Sequence, residues 1–539
     1  MIQARRLPDV QPPPVLDDPA ILEAYLEDSS ASSPGSAAGL VRILDEAQAA
    51  SLLRRTAGTG RTVLVQAARS SLTGGAVPQG ELVLSVERMN RIQTPERWPG
   101  GARLSVQPGV RLDELQRELQ SQGLYYPPVP TYQQAMIGGT VSCNAGGAAT
   151  FKYGVTRSWV EGLRVLLSNG DLLELERGQF TARSGQSFQL RLSDGTERLV
   201  PVPDYELPAL KKISAGYHAA DPLDLVDLFV GAEGTLGLIT SVTLKVIPRP
   251  AAVVTALVWL DNPATALRLS DALREAAQNA RARRDPAGPD VRAIEWMDEA
   301  SLGILRSHDE GRKRRIEIPG TARSALLFEQ ELPEPISNER FEQQLSSFLE
   351  GQAEEGPLAR LFGILSAHQA LDALEVAFPE DPRRHQALVE LREALPTRVS
   401  EMLSARRREA AGVHKVAGDL IVPVNELPQM VAFYERGFAR RGLPFAIWGH
   451  LSDGNLHPNA LPENAEQTKL GWEAQLDFAQ EAVRRGGCPL SEHGVGRSPL
   501  KQEILRRFLG ESAIETMRRI KRALDPEGRF APGVLFVPQ

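Results

Sequence analysis

A chain of 539 residues is too long for one hydrophobic core and implies two to four domains. Its 42% hydrophobic and 24% charged residues are those of an ordinary soluble globular protein, and a net charge of −7 excludes the basic footprint of nucleic-acid or anionic-membrane binding. Two cysteines, Cys143 and Cys488, exclude a disulfide framework or an iron–sulfur cluster and suit a reducing cytosol. The N-terminal Met-Ile-Gln-Ala-Arg-Arg-Leu-Pro lacks the apolar run of a signal peptide, and no 18-residue apolar span occurs. Any membrane association is therefore expected to be peripheral.

Residues 1–34, rich in Pro, Asp and Ser, are expected to form a leader that wraps or frays. The spacing then predicts short strands at 62–66 and 82–86, joined by Ala67-Ala-Arg-Ser-Ser-Leu-Thr-Gly-Gly-Ala-Val-Pro78. In that loop Ser70, Ser71 and Thr73 offer hydroxyl donors, while Gly74 and Gly75 let the backbone curl round an anion such as a pyrophosphate. No GxGxxG occurs in it, which argues against a Rossmann cradle; a plain hairpin loop is the alternative. After a strand ending at Val106, Asp113 is expected to cap a helix lined by Leu112, Leu115 and Leu119 that stops at Gly123.

The stretch Ala135-Met-Ile-Gly-Gly-Thr-Val-Ser-Cys-Asn-Ala-Gly-Gly147 has glycine at four of thirteen positions. With no Cβ at Gly138, Gly139, Gly146 and Gly147, backbone N–H groups can approach a bulky anionic ligand, and the stretch is expected to be one wall of a flavin site, or else a tight turn under a sheet. Tyr153-Gly154 follows, then hairpins that turn at Asn169-Gly170 and Asp194-Gly195. Several strands with occasional helices indicate an α+β fold rather than a doubly wound one. A second glycine-punctuated loop, Asp227-Leu-Phe-Val-Gly-Ala-Glu-Gly-Thr-Leu-Gly-Leu-Ile239, leads into a strand over 241–247 and could contact a flavin or adenine ring.

Beyond residue 250 the composition changes. Asn262-Pro263 starts a helix through Leu267, Leu269 and Leu273. Residues 280–385 mix charged, Pro-containing loops with apolar pieces such as Ser324-Ala-Leu-Leu-Phe328 and carry no interpretable motif.

Chemistry concentrates near the C-terminus. In Trp448-Gly-His-Leu-Ser-Asp-Gly-Asn-Leu-His-Pro-Asn459, Asp453-Gly454 is a two-residue hairpin signal. Centred there, the hairpin pairs His450 with His457 on one side of a ribbon, with Cβ atoms roughly 5 Å apart, and Asn459 shares that face. Both imidazoles could then bind one metal; two hydrogen-bonded histidines without metal are the alternative. An amphipathic helix carrying Trp472, Leu476, Ala479 and Val483 precedes Gly486-Gly-Cys-Pro-Leu-Ser-Glu-His-Gly-Val-Gly496, which adds Glu492 next to His493. Two imidazoles and one carboxylate leave coordination positions open, as a catalytic metal requires.

The segments 69–78, 137–147 and 231–239, with these C-terminal motifs, resemble the vanillyl-alcohol-oxidase (PCMH-type) FAD proteins. Within them they resemble the branch of D-lactate dehydrogenase, the glycolate oxidase FAD subunit and D-2-hydroxyglutarate dehydrogenase. The resemblance implies a two-subdomain FAD-binding domain over 35–250 and an FAD-linked oxidase C-terminal domain over 251–539 that caps the substrate. It carries the cofactor contacts to Arg69, Ser70, Ser71, Thr73, Gly74, Gly75, Gly138, Gly139, Asn144, Gly146, Gly147, Gly154, Glu233, Gly237 and Ile239. The first loop lacks the histidine used for covalent flavin attachment in some relatives, so non-covalent FAD is expected. The metal ligands implied are His450, His457 and Glu492, with Zn2+ the expected ion and Mn2+ or Fe2+ also suited, and His493 is the implied base. Arg392, a bidentate partner for a substrate carboxylate, and Lys415 resemble the family's substrate arginine and active-site lysine, with Arg406-Arg-Arg408 as competitors.

The activity implied is oxidation of a D-2-hydroxy acid of the lactate, glycolate or 2-hydroxyglutarate class to the 2-oxo acid, by hydride transfer to flavin N5. Electrons would pass to a quinone, cytochrome, electron-transfer flavoprotein or O2. A cytoplasmic location, peripheral to the inner membrane or not, and a homodimer are compatible with these features. Two other readings stay open: a non-redox flavin enzyme like the ether-lipid synthase that shares this fold, and a metal-dependent hydrolase whose glycine loops are merely structural.

Overall fold

The computed structural model describes residues 1–537 except 31, 129 and 131. Residue 31 of the expected leader, and residues 538 and 539 of the expected C-terminal domain, thus lie outside the described residues. The chain forms two compact units: Met1–Gly147, Gly154–Arg249 and Cys488–Gln539 make the first, and Ala148–Tyr153 with Pro250–Gly487 make the second. Whereas the sequence reading assigns 251–539 to one domain, the polypeptide returns to the first unit at Cys488. The class is α+β, and among the described residues no helix is long and apolar enough to cross a membrane.

The first unit contains a three-stranded parallel sheet of β1 (Gly39–Arg42), β2 (Val63–Gln66) and β3 (Leu82–Ser85), with β3 in the centre. Helix α1 (Glu46–Thr56) starts where Asp45 Oδ1 accepts the Gln48 N–H at 2.9 Å. It buries Ala49, Ala50, Leu52 and Leu53 in the cluster that holds Val41, Leu82 and Leu84. An antiparallel sheet is built around β4 (Gly101–Val106), β5 (Val160–Leu166), β6 (Asp171–Glu176) and β7 (Leu238–Pro248), in the order β6-β5-β7-β4. Both expected hairpin turns are present, with Gly170 at φ 80 and Gly195 at φ 87, where a Cβ would be strained. The leader wraps: Ile2–Gln3 pairs with Ser187–Arg191, Arg5–Arg6 pairs with β6, and Tyr25 is buried.

One helix starts differently from expectation. Helix α2 (Leu112–Ser121) has Arg111 as its cap residue, so Asp113 lies inside the first turn, where its charge still suits the positive end of the helix. Gly123, at φ 70, ends it as expected. Helix α3 (Ile137–Ser142) carries the first two glycines of the 135–147 stretch.

The second unit is built on an eight-stranded antiparallel sheet. Its central strands are β8 (Ala252–Leu260), β9 (Asp290–Met297), β10 (Ser324–Leu332), β11 (Leu374–Ala377), β12 (Phe445–His450) and β13 (Asn455–Ala460), in the order β11-β8-β10-β9-β12-β13. Helix α4 (Pro263–Arg283) is capped by Asn262, whose Oδ1 accepts the Ala264 N–H at 2.9 Å. Helix α5 (Pro382–Glu409) buries Leu388, Leu391, Leu395 and Val399 in a core with Leu257, Met297, Leu327 and Trp448. Each such side chain stabilises the fold by about 1.5–3 kcal/mol.

Helix α6 (Ala465–Arg484) corrects another expectation. Its buried face is Thr468, Gly471, Ala474, Gln475, Phe478, Ala479 and Ala482; of the four residues expected there Ala479 is buried and Leu476 half-buried, while Trp472 and Val483 are exposed. Gln475 is buried because its Nε2 donates to the Pro458 carbonyl at 2.8 Å. A polar side chain with a built-in partner therefore lies on the inner stripe that a count of apolar residues puts elsewhere.

Candidate active site

The histidine hairpin has a different register from the expected one. His450 pairs with Asn455 and Trp448 with His457, so Leu451–Gly454 form a four-residue loop. The cause is a third strand segment: the Val422 N–H donates to the Gly454 carbonyl at 3.1 Å, and Leu420–Ile421 pairs with β13. Because side chains alternate with period two, a slip of two residues keeps both histidines on one face as diagonal neighbours. Their ring centroids lie 5.6 Å apart, edge to face at 86°, and both residues are buried. Asn459 shares the face, and its Nδ2 donates to the His457 carbonyl at 2.7 Å.

Each imidazole meets a carboxylate on its Nδ1 side. His450 Nδ1 is hydrogen-bonded to Glu295 Oε1, and His457 Nδ1 lies 3.8 Å from Asp419 Oδ1. The His450 imidazole, hydrogen-bonded at Nδ1, is suited to ligate a metal through Nε2, and with His457 beside it the donor set of this unit fits a divalent cation. Glu295 stands directly opposite His450 in the β9–β12 ladder. Its second oxygen, Oε2, forms an ion pair with Arg392 Nε at 2.8 Å.

Arg392 projects from α5 and is 5% exposed. Lys415 Nζ donates to Ser400 Oγ at 3.2 Å, on the same helix. Eight residues separate Arg392 from Ser400, about 12 Å along a helix. Arg406 is spent elsewhere, on the Leu461 carbonyl at 2.6 Å, and Arg407 donates to the Val413 carbonyl.

In the first unit, Glu492 and His493 are adjacent in space as well as in sequence, with His493 Nε2 3.4 Å from Glu492 Oε1. The fully buried Lys212 ammonium forms an ion pair with Glu492 Oε2 at 2.9 Å. The following residues are tied to both glycine-bearing loops. The Val495 and Gly496 N–H groups each donate to Glu233 at 2.8 Å, and the Arg497 N–H donates to the Thr73 carbonyl at 2.9 Å. Burial pushes the Glu233 carboxyl up to about 7 even though the two N–H groups favour its charged form.

In the glycine-bearing loops the backbone bends freely and the other side chains serve the fold. A Cβ at Gly139 would lie 3.5 Å from the Ala67 Cβ, so the first loop and α3 face one another at close range. Gly74, at φ 74, and Gly75 bend the first loop, whose Ser71 Oγ accepts the Thr73 and Gly75 N–H groups. Arg69 lies over the Tyr25 ring at 4.7 Å, and Ser70 is half-buried beside it. Gly146, Gly147 and Gly154 bracket the short excursion of residues 148–153 into the second unit.

Other residues expected at the cofactor have structural partners. Asn144 accepts the Arg157 N–H at 2.9 Å and donates to the Ile213 carbonyl at 3.4 Å, Glu233 holds residues 495–496, and Ile239 is buried in β7. A Cβ on Gly237 would come within 2.7 Å of Val165 Cγ1, so that glycine answers to strand packing.

Sequence reasoning missed Glu295, Asp419 and Lys212. A charged residue inside the apolar run Ala293-Ile-Glu-Trp-Met297 was a signal for the first. Lys212, next to Lys211, gave none.

Comparison with known proteins finds two family matches along the chain. Residues 37–176 match the FAD binding domain family, and residues 261–535 match FAD linked oxidases, C-terminal domain. The glycolate oxidase subunit GlcD of Bacillus subtilis is 29% identical over 87% of this chain and 82% of its own length. The D-lactate dehydrogenase of Anaerostipes hadrus is 26% identical over 86% of this chain and 82% of its own length. The D-2-hydroxyglutarate dehydrogenase of Stutzerimonas stutzeri is 27% identical over 98% of this chain and 97% of its own length. With an FAD-binding match over residues 37–176 and an oxidase match over residues 261–535, this protein belongs to the FAD-linked oxidases and is an FAD-dependent oxidoreductase.

Proposed function

We propose that this protein oxidises a D-2-hydroxy acid of the lactate, glycolate or 2-hydroxyglutarate class to the corresponding 2-oxo acid, with non-covalent FAD and a divalent cation, Zn2+ in the first instance. The observation that carries the reading is the pair of buried imidazoles, His450 and His457, each with a carboxylate at Nδ1, in a chain whose relatives bear the names of hydroxy-acid dehydrogenases.

In this reading His450, His457 and Glu492 hold the cation, and Arg392 and Lys415 bind the substrate carboxylate. When bound, FAD supplies the two-electron acceptor that takes the C2 hydride at N5, and the cation supplies a Lewis acid for the carboxylate and 2-hydroxyl oxygens. The His493 imidazole takes the hydroxyl proton, so the substrate loses one proton and one hydride and leaves as the 2-oxo acid. Lys212 holds Glu492 in place through its ion pair at 2.9 Å. Asn459 stiffens β13 beside His457. A quinone, cytochrome, electron-transfer flavoprotein or O2 would remove the electrons. The two free cysteines suit a cytoplasmic setting.

The test is anaerobic bleaching of the yellow protein by a panel of D- and L-2-hydroxy acids, with and without chelator. Bleaching by D acids that chelation stops and Zn2+ restores is expected. Bleaching that survives complete metal removal would refute the metal requirement, and a flavin untouched by the whole panel would refute the substrate class.

A further inference from the structure

We infer that Glu295 is a positioning residue that aims two groups of the proposed chemistry at once, the His450 imidazole through Nδ1 and the Arg392 guanidinium through Nε. The inference rests on the reading above, which gives His450 to the cation and Arg392 to the substrate.

Glu295 is a poor occupant of its place by every local criterion. It lies in β9 between Ile294 and Trp296, its side chain is 6% exposed, and glutamate is disfavoured in strands. A carboxylate withdrawn from water costs several kcal/mol unless it is paired and hydrogen-bonded. One cation would satisfy that need. Glu295 divides its oxygens between two groups of the proposed site: Oε1 to His450 and Oε2 to Arg392 at 2.8 Å. The three side chains, at 3%, 6% and 7% exposure, form one buried cluster in the second unit.

The division has consequences at both ends. A carboxylate at Nδ1 keeps the ring proton there and presents the Nε2 lone pair, the form of imidazole that binds a metal. An ion pair at Arg392 Nε turns the Nη1–Nη2 edge of the fork to a substrate carboxylate. The backbone enforces the arrangement. The β9–β12 register sets Glu295 opposite His450, and α5 packs on that same sheet face and brings Arg392 over it. Glu295 thereby couples the direction of a metal-holding group to that of a substrate-holding group.

The test uses the FAD-loaded enzyme as wild type, Glu295→Gln and Glu295→Ala, with Glu375→Gln as control. Glu375 also pairs in this sheet, with Trp259 Nε1 and Arg384, but touches neither His450 nor Arg392. FAD content and melting temperature report folding. Zn2+ affinity by chelator competition, 15N chemical shifts of His450 in metal-free protein, and separate kcat and KM report positioning.

Glu295→Ala is expected to weaken Zn2+ binding by about 10–100-fold and to release the His450 tautomer. Glu295→Gln keeps an acceptor for Nδ1–H but loses the ion pair, so KM should rise by about tenfold or more while Zn2+ affinity changes less. Glu375→Gln should change neither. Unaltered KM and Zn2+ affinity in Glu295→Ala would overturn the inference. If that variant does not fold, an unaltered KM in Glu295→Gln would do so. A wild type that turns over without metal would instead sink the metal part of the proposed function, and the His450 tautomer and KM would still decide the role of Glu295.

Discussion

In the glycine loops of the first unit the backbone does the shaping, and the side chains that interrupt the glycines turn back into the fold. Asn144 serves Arg157 and Ile213, and Glu233 holds the N–H groups of Val495 and Gly496. In the hairpin of the second unit the reverse holds. The backbone there is an antiparallel ladder, and the chemistry lies in the side chains of His450 and His457 with the carboxylates beside them. A site made of backbone is broken by adding an atom, whereas a site made of side chains is broken by removing one.

The sharpest test of that contrast is His457→Ala. Loss of a metal ligand forfeits several kcal/mol of transition-state stabilisation, so turnover should fall by about 10³-fold or more while FAD stays bound. Elemental analysis and the flavin spectrum of one sample check both halves, and simultaneous loss of FAD would break the comparison.

Glu233 offers the next largest effect. Its carboxyl sits at about 7 when folded, against about 4.3 in an unfolded chain. The folded state thus holds a proton that the unfolded state releases, and the associated stability, present below about 4.3, is lost as pH rises through 7, about 4 kcal/mol in all. In Glu233→Gln this loss is absent. Denaturant titrations should show the difference in stability between the variant and wild type shifting in the variant's favour from pH 5 to pH 8, and parallel curves would show that Glu233 does not titrate in this window.

Gly138→Ala sharpens the backbone side of the comparison. The new Cβ would stand 2.6 Å from Pro108 Cβ and 3.1 Å from its carbonyl oxygen. Such overpacking costs about 1–3 kcal/mol and should lower FAD occupancy without altering the metal content, readable from melting temperature and the ratio of flavin to protein absorbance.

The same contrast explains what could be read from the residues alone. Glycine runs, Asn-Gly and Asp-Gly turns and the Asn262-Pro263 start are local signals, and the loops, hairpins and α4 stand where those signals put them. The histidines could be placed on one face, because period-two alternation survives a slip of two, but their register could not, because Val422 on another segment sets it. The buried stripe of α6 was misjudged for a similar reason: Gln475 is inside only because Pro458, 17 residues earlier, offers it a carbonyl. Glu295 and Lys212, 155 and 280 residues from the partners they support, were beyond any spacing argument.

The late return of the chain to the first unit has a bearing on its synthesis. Strand β2 lies at the side of its small parallel sheet, and there the Val63 N–H donates to the Arg529 carbonyl while the Ala531 N–H donates to the Val63 carbonyl, both at 2.8 Å. Until residues 529–531 have left the ribosome, that strand offers unpaired amides to any neighbouring polypeptide, the situation in which nascent chains aggregate. Truncation just before Arg529 would spare every residue assigned to metal or substrate and still yield a protein that depends on chaperones to stay in solution.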